Sequence, residues 1–133
     1  MERKCIMGKT ITVSYEGKPH YDIEIQKDFS LLPSRLKDIG YGANKVCIIA
    51  DSNVAELYLE EIKALLAPVF VFCTSFVFEA GESSKNTDTA GRVYEHLIQN
   101  KFDRKDLLIA LGGGVVGDLT GFAAATYLRG IDF

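Results

Sequence analysis

The sequence has 133 residues, of which 47% are hydrophobic and 25% are charged, and its formal net charge is −3. This composition predicts a globular domain with a sizeable core, and the acidic balance argues against a basic surface for nucleic acid or membrane. The sequence has no uninterrupted run of about 18 apolar residues, so it predicts no membrane span. Three cysteines without a CxxC spacing, and an N-terminus too polar for a signal peptide, predict a reducing, cytoplasmic compartment.

The first part of the chain alternates polar and apolar residues, which is typical of strands. Residues 9–17 (KTITVSYEG) and 20–26 (HYDIEIQ) follow this period, and residues 17–19 between them predict a turn. These segments therefore predict an N-terminal β-hairpin. A short helix is predicted over residues 33–39, with Gly40 as its end.

From residue 44 onward, apolar runs rich in β-branched residues alternate with apolar residues at helical spacing. The predicted order is strand 44–51, helix 52–67, strand 68–78, helix 85–101, strand 106–111 and helix 115–129, after which Gly130 ends the helix and a further strand begins. The predicted buried face of the first of these helices comprises Val54, Leu57, Ile62, Leu65 and Leu66. Such alternation predicts a Rossmann-like, mostly parallel sheet flanked by helices, with ligands at the carboxyl ends of the strands.

Glycines occupy the corner between the last full strand and the last helix. Gly112, Gly114 and Gly117 fit the spacing G-x-G-x-x-G, which suits backbone amides that hold a pyrophosphate at a helix N-terminus. A P-loop is excluded because no Lys-Ser/Thr follows. The alternative is close packing of helix against strand, since Gly117, Gly121 and Ala125 form a stripe of small residues. Both interpretations can hold together.

A dinucleotide site of this kind uses an acidic residue to hold a ribose, usually about 20 residues after the glycines. Asp132 is a poor substitute for that residue. Asp51 follows an earlier buried strand and is the better candidate, although it is also a natural helix N-cap.

Three segments resemble the 3-dehydroquinate synthase family. Residues 111–130 (LGGGVVGDLTGFAAATYLRG) closely resemble its nucleotide-binding segment, and residues 81–86 (GESSKN) match its G-E-x-x-K loop. Residues 50–58 (ADSNVAELY) resemble its earlier strand end. The resemblance implies that residues 1–133 are the NAD-binding N-terminal domain, and that a helical C-terminal domain with a divalent metal is absent. We therefore expect the chain to be a fragment.

The resemblance also implies an activity for the complete protein. The family converts 3-deoxy-D-arabino-heptulosonate 7-phosphate to 3-dehydroquinate and phosphate in the shikimate pathway of aromatic amino acid biosynthesis. It is a lyase that uses NAD without net redox change, together with zinc or cobalt held by the C-terminal domain. The implied partners are a small sugar phosphate and, in the complete protein, a second copy. The chain alone is expected to be inactive.

Carried over residue by residue, the resemblance implies cofactor contacts at Asp51, Asn53, Gly81, Glu82, Lys85, Gly113, Gly114, Val115, Val116, Gly117 and Asp118. Arg129 stands where the family has an arginine near the phosphate of the substrate. No catalytic or metal-ligating residue is assigned to this chain. Structural roles compete at several of these positions. The alternatives are an N-cap for Asp51, an exposed ion pair for Glu82 and Lys85, and interaction with a helix dipole for Asp118 and Arg129.

Three alternatives stay open from the sequence. Another sugar-phosphate cyclase, such as a 2-deoxy-scyllo-inosose synthase, would share this domain. A metal-dependent glycerol or alcohol dehydrogenase also has a triple-glycine corner, but that class usually lacks the Val-Val-Gly-Asp-Leu continuation. A non-enzymatic nucleotide-binding module is the third.

Overall fold

The computed structural model describes residues 8–133, and this part of the chain divides into two compact units, one ending at Leu32 and one beginning at Pro33. The first unit holds an antiparallel hairpin, and the second holds a parallel sheet with helices. The elements in chain order are β1 (Lys9–Tyr15), β2 (Lys18–Ile25), α1 (Leu32–Asp38), β3 (Lys45–Asp51), α2 (Ser52–Val54), a π-helical segment (Ala55–Leu59), α3 (Glu60–Leu66), β4 (Phe72–Phe78), a 3₁₀ turn (Glu82–Ser84), α4 (Thr87–Gln99), β5 (Leu107–Leu111), α5 (Gly114–Thr126) and a second 3₁₀ turn (Tyr127–Arg129).

The predicted hairpin is confirmed, but its turn is tighter than the sequence indicated. β1 and β2 pair from Lys9 to Tyr15, with one shift of register between Val13 and Ser14. Glu16 and Gly17 alone connect them, and both have positive φ, 49° and 76°. A two-residue turn with this backbone matches the twist of a hairpin. Lys18 and Pro19 therefore belong to β2, and their assignment to the turn was wrong.

The sheet of the second unit has the order β4-β3-β5, and both strand pairs are parallel. The predicted Rossmann-like fold class is confirmed. The middle strand is covered on both faces, because residues 46–50 are wholly inaccessible to solvent, which explains why β3 is a continuous apolar run. Asp51 lies opposite Phe78, and Ala50 lies opposite Leu111. The three loops that follow these strands therefore begin side by side at one edge of the sheet.

Helices α4 and α5 pack together over one face of this sheet. Their buried residues form one cluster with side chains of β3 and β5, among them Cys47, Ile49, Val93, Leu97, Leu108, Val116, Leu119 and Ala123. Burying an aliphatic side chain of this kind contributes about 1.5–3 kcal/mol. The cluster thus fixes α5, and with it the glycine corner, against the carboxyl end of β5.

The helix predicted over residues 52–67 is confirmed, but its winding changes after the first turn. The π-helical segment is wider than an α-helix and rotates the side chains that follow it. The buried positions are Leu59, Ile62 and Leu66, whereas Leu57 is 68% exposed. The placement of Leu57 on the buried face was therefore wrong, because it assumed an unbroken period of 3.6 residues.

Several element boundaries also differ from the sequence prediction, and the largest differences are at the start of β4 and the end of α5. β4 begins at Phe72, because the amides of Val69 and Phe70 bond back to the carbonyl of Leu66 and extend the end of α3. Both side chains are buried, so the apolar run continues although the strand does not. α5 is regular only to Thr126.

The strand predicted after Gly130 is present as a single parallel bridge between Leu107 and Asp132. The amide of Leu108 donates to the carbonyl of Asp132 at 3.0 Å. The hydroxyl of Tyr41 donates to the carboxylate of Asp132 at 2.5 Å. Burial and this bond raise the pKa of Tyr41 to about 12.

Cys47 and Cys73 are free thiols on neighbouring strands. Burial raises the pKa of the Cys47 thiol to about 12 and raises that of Cys73 as well. Cys5 lies outside the described residues. Between residues 8 and 133, no helix is both long enough and apolar enough to span a membrane.

His96 of α4 makes the stability of the second unit depend on pH. Its Nε2 atom lies 3.1 Å from the hydroxyl of Thr74, beside the ring of Phe76, on which Arg92 also stacks. Burial lowers the pKa of His96. The unfolded chain therefore binds the proton more readily than the folded chain. The contribution of His96 to the free energy of unfolding is fully present above its ordinary pKa of about 6.5 and is lost as the pH falls below that value.

Denaturant titrations at stepped pH check this dependence. In His96→Gln the free energy of unfolding should depend less on pH below about 6.5, because the substitution removes the imidazole that titrates. His20→Gln, on the hairpin, is the matched control and should leave the profile unchanged. An equal slope in His96→Gln and the unaltered chain would contradict the assignment.

Candidate functional site

The loop after β3 is organised by two short side chains. Asp51 accepts a hydrogen bond from the amide of Val54 at 2.9 Å and so caps the following helix. Ser52 accepts from the amide of Ala80 at 3.0 Å, which ties this loop to the one after β4. Asn53 is exposed beside them. A capping carboxylate keeps acceptor positions on its second oxygen, so the cap and a ribose contact by Asp51 are compatible.

The loop after β4 is held in shape by its own hydrogen bonds. Gly81 has φ 124°, a conformation that favours glycine and explains the first residue of the G-E-x-x-K match. Ser84 donates from its hydroxyl to the carbonyl of Glu79 at 2.5 Å. Asn86 caps α4 by accepting from the amide of Thr89 at 2.9 Å. The loop therefore presents its charged residues from a fixed backbone.

The glycine corner after β5 leaves backbone bare. Gly113 is the N-cap residue of α5 and supplies no side-chain bond to the first-turn amides. A Cβ atom placed on Gly113, Gly114 or Gly117 would meet nothing within 4 Å. The side chain of Val116 is fully buried, so only its main chain can face this space. The amides of a first turn and the positive end of a helix dipole attract an anion.

The small-residue stripe does not pack against the sheet, so the packing interpretation is wrong for Gly117, whereas Gly112 does lie close to Val116 of α5. Gly117 borders open space, Ala125 is exposed, and a Cβ at Gly121 would meet the ring of Phe133 at 3.0 Å. The residues of α5 that face the core are instead Val116, Leu119, Thr120, Ala123 and Ala124. Gly113, Gly114 and Gly117 are therefore not explained by close packing.

Lys85 joins the second loop to α5. Its ammonium lies 2.8 Å from a carboxylate oxygen of Asp118 and 3.7 Å from one of Glu82. The hydrogen bond to Asp118 is the main cause that raises the pKa of Lys85, followed by the negative charges of Asp118 and Glu82. Asp118 is the fifth residue of α5 and lies just beyond its first turn. Its negative charge is paired with the ammonium of Lys85.

An open pocket with a volume of about 330 Å³ lies beside this ion pair. Its lining residues are Lys85, Asn86, Thr87, Asp118, Leu119 and Phe122. They come from the start of α4 and from one side of α5. The ion pair thus stands at the border between an open apolar surface and the charged loop.

Arg129 lies apart from the other predicted site residues. It follows α5, which begins at Gly114 and has 13 residues, so a helix length of about 20 Å separates it from the glycine corner. It belongs to the 3₁₀ turn after that helix and has φ 66°. The structure therefore brings the predicted cofactor residues to one edge and leaves Arg129 at the other end of α5.

Two residues of this edge were missed by sequence reasoning as organisers of the loops, Ser52 and Asn86. The signal for Asn86 was available, because an asparagine directly before a helical pattern is a common N-cap. The bond of Ser52 to the next loop joins residues 28 positions apart, and no local pattern indicates it. Among residues 8–133, no group of three or more His, Cys, Asp or Glu is arranged to hold a metal ion.

Comparison with solved structures places the fold among the sugar-phosphate cyclases. A 2-deoxy-scyllo-inosose synthase complexed with carbaglucose-6-phosphate, NAD⁺ and Co²⁺ aligns with TM-score 0.76 and 21% identity, over 92% of this chain and 33% of that one. A 2-epi-5-epi-valiolone synthase from Streptomyces hygroscopicus subsp. jinggangensis 5008, with NAD⁺ and Zn²⁺ bound, aligns with TM-score 0.68 and 28% identity, over 90% and 32%.

Comparison of sequences identifies relatives of this chain. Residues 75–133 match the family model described as 3-dehydroquinate synthase N-terminal. The 3-dehydroquinate synthase of Clostridium kluyveri is 44% identical over 126 residues, which are 94% of this chain and 34% of that protein. The chain is thus homologous to the N-terminal part of 3-dehydroquinate synthases, which confirms the resemblance. It spans about a third of the length of these relatives.

Proposed function

We propose that the chain is the NAD-binding part of a 3-dehydroquinate synthase. The observation that carries the proposal is the glycine corner, where bare backbone at Gly113, Gly114 and Gly117 borders open space at the N-terminus of α5. This arrangement fits a pyrophosphate, because the phosphate oxygens can approach the amides without meeting a side chain. The homology to 3-dehydroquinate synthases supports the same assignment.

The three loops at the carboxyl edge of the sheet divide the binding of NAD. The first-turn amides of α5, among them those of Gly114, Val115 and Val116, bind the pyrophosphate. Asp51, with Asn53 beside it, accepts hydrogen bonds from a ribose. Gly81, Glu82 and Lys85 contact the dinucleotide from the loop after β4, and Asp118 holds the ammonium of Lys85 in place. When bound, NAD supplies a reversible hydride acceptor.

The complete protein is proposed to convert 3-deoxy-D-arabino-heptulosonate 7-phosphate to 3-dehydroquinate and phosphate. Arg129 would bind the phosphate of that substrate, which is a different anion from the NAD pyrophosphate and can lie at a distance from it. The divalent metal, zinc or cobalt, is assigned to residues outside 8–133. We also propose a cytoplasmic homodimer for the complete protein.

Titration calorimetry with NAD tests the assignment of the glycine corner. The unaltered chain should bind NAD weakly, and Gly114→Val should lower the affinity about tenfold or more, because the new side chain fills the space of the pyrophosphate. Since that space is open, Gly114→Val should fold normally.

Gly91→Val is the matched control for this titration. Gly91 is also a helical glycine with nothing within 4 Å of an added Cβ, but it lies in α4. The control should bind NAD like the unaltered chain. Equal NAD affinity in the Gly114→Val variant would refute the assignment of the pyrophosphate to the glycine corner. Phosphate release from the heptulosonate phosphate by this chain alone would refute the domain assignment.

A related cyclase activity is the second candidate, because the similar solved structures are a 2-deoxy-scyllo-inosose synthase and a valiolone synthase. Identity of 21% to the first of these is evidence for the fold alone. The curated relatives at 44% identity favour 3-dehydroquinate synthase. Product analysis with the complete protein separates the two activities.

A further inference from the structure

The turn that carries Arg129 has a backbone that its residues do not favour. Leu128 has φ 48° and ψ 32°, and Arg129 has φ 66°. Two consecutive residues with a Cβ atom in the left-handed region are unfavourable by themselves. Such a conformation persists only where the surrounding structure imposes it. The contacts on either side of the turn identify what imposes it.

Before the turn, α5 is fastened to α4 through Tyr94. The hydroxyl of Thr126 donates to the carbonyl of Phe122 at 2.7 Å, so the hydroxyl of Tyr94 acts as the donor in the hydrogen bond between Tyr94 and Thr126. The ring of Tyr94 also stacks on that of Tyr127, with centroids 6.4 Å apart and an angle of 20°. Tyr94 therefore contacts two successive residues that lead into the turn.

The turn is also fastened by its own first residue and by the two residues that follow it. Tyr127 is buried and its hydroxyl donates to the carbonyl of Phe102 at 2.8 Å. The carbonyl of Gly130 accepts from Nε of Arg104 at 3.2 Å, and the amide of Ile131 donates to the carbonyl of Ala124 at 2.8 Å. The side chains of Leu128 and Arg129 are exposed.

We propose that Tyr94 is a positioning residue for Arg129: it fixes the start of the turn so that the left-handed backbone holds the guanidinium outward, toward an anionic group such as a sugar phosphate. The inference rests on the proposed role of Arg129 in binding a phosphate. The hydroxyl bond and the ring contact of Tyr94 thus act together with the bonds that follow the turn, and influence the direction of a side chain that Tyr94 does not touch.

NMR of the isotope-labelled chain tests the two parts separately. Three-bond couplings give φ at Leu128 and Arg129, and the side-chain Nε–H signal of Arg129 follows titration with inorganic phosphate and with a sugar phosphate. Tyr94→Phe and Thr126→Val each remove the hydroxyl bond and should reduce the left-handed population at Arg129. They should weaken phosphate binding about three- to tenfold, with no change in NAD affinity.

Tyr41→Phe is the matched control, because it removes a tyrosine hydroxyl bond from the same unit, to Asp132. It should change neither φ at Arg129 nor phosphate binding. Adding Leu128→Gly to Tyr94→Phe should restore part of the binding, since glycine accepts the left-handed region without support.

The outcomes separate this inference from the proposed function. Unchanged φ at Leu128 and Arg129 in both Tyr94→Phe and Thr126→Val would overturn the positioning role, regardless of the result of the phosphate titration. A chain whose Arg129 signal does not respond to either phosphate, while φ shifts in the variants, would refute the proposed function of Arg129 and leave the control of the turn by Tyr94 established.

Discussion

Gly112→Ala is expected to lower the free energy of unfolding of the second unit by about 2–4 kcal/mol. A Cβ atom at this position would lie 2.5 Å from Cγ2 of Val116 and 3.0 Å from its Cβ. Val116 is fully buried on the first turn of α5. It cannot move aside without displacing α5 from β5, so the clash disturbs the core and the corner together.

The neighbouring glycines are the matched controls. Gly113→Ala and Gly114→Ala add the same methyl group where nothing lies within 4 Å. Each should change stability by less than about 1 kcal/mol. Urea unfolding followed by circular dichroism measures all three variants. Equal losses at the three positions would mean that the corner is uniformly strained and that its structure is not as described.

Asp106→Asn is expected to cost about 2–4 kcal/mol of stability. Asp106 is 5% exposed and directly precedes β5. Its two carboxylate oxygens accept from the amides of Lys45 and Asp103, each at 2.8 Å. An asparagine side chain replaces one acceptor with an NH₂ group, which would face a backbone N–H and leave two donors unsatisfied.

Asp103→Asn is the control for this substitution. Asp103 makes a similar bond, accepting from the amide of Lys105 at 2.8 Å, but in an exposed setting. Water can replace that bond, so the cost should stay below about 1 kcal/mol. Because Asp106 joins the amino ends of β3 and β5, NAD affinity of the folded variant should be unchanged. A loss in Asp106→Asn no larger than that in Asp103→Asn would contradict the buried bonding.

The fold was predictable because its strongest signals are local. The run that forms β3 is apolar throughout, since both of its faces are buried, and alternation with helices then determines a parallel sheet. The same topology brings the ends of successive strands to one edge, so the placement of Asp51 and of the glycine corner followed from the element order. Pattern alone left a nucleotide and close packing open at these glycines, and the homology supports the proposal of a nucleotide.

The features that were missed depend on contacts or geometry that no local period records. The π-helical segment rotates the face on which Leu57 was expected, and a tight turn at Glu16 and Gly17 shifts the start of β2. Asp118 was treated as a charge near a helix dipole, whereas its partner Lys85 lies 33 positions earlier in the chain. The stripe at Gly117 looked like a packing surface, because sequence spacing does not say which side of a helix faces the core.

The most direct test of the central claim is a map of backbone amide shifts in the ¹⁵N-labelled chain during titration with NAD. The account predicts that the amides of Gly114, Val115 and Val116 shift most, with smaller changes at Asp51 and Lys85. Saturable shifts confined to other parts of the chain, with these five residues unmoved, would contradict it.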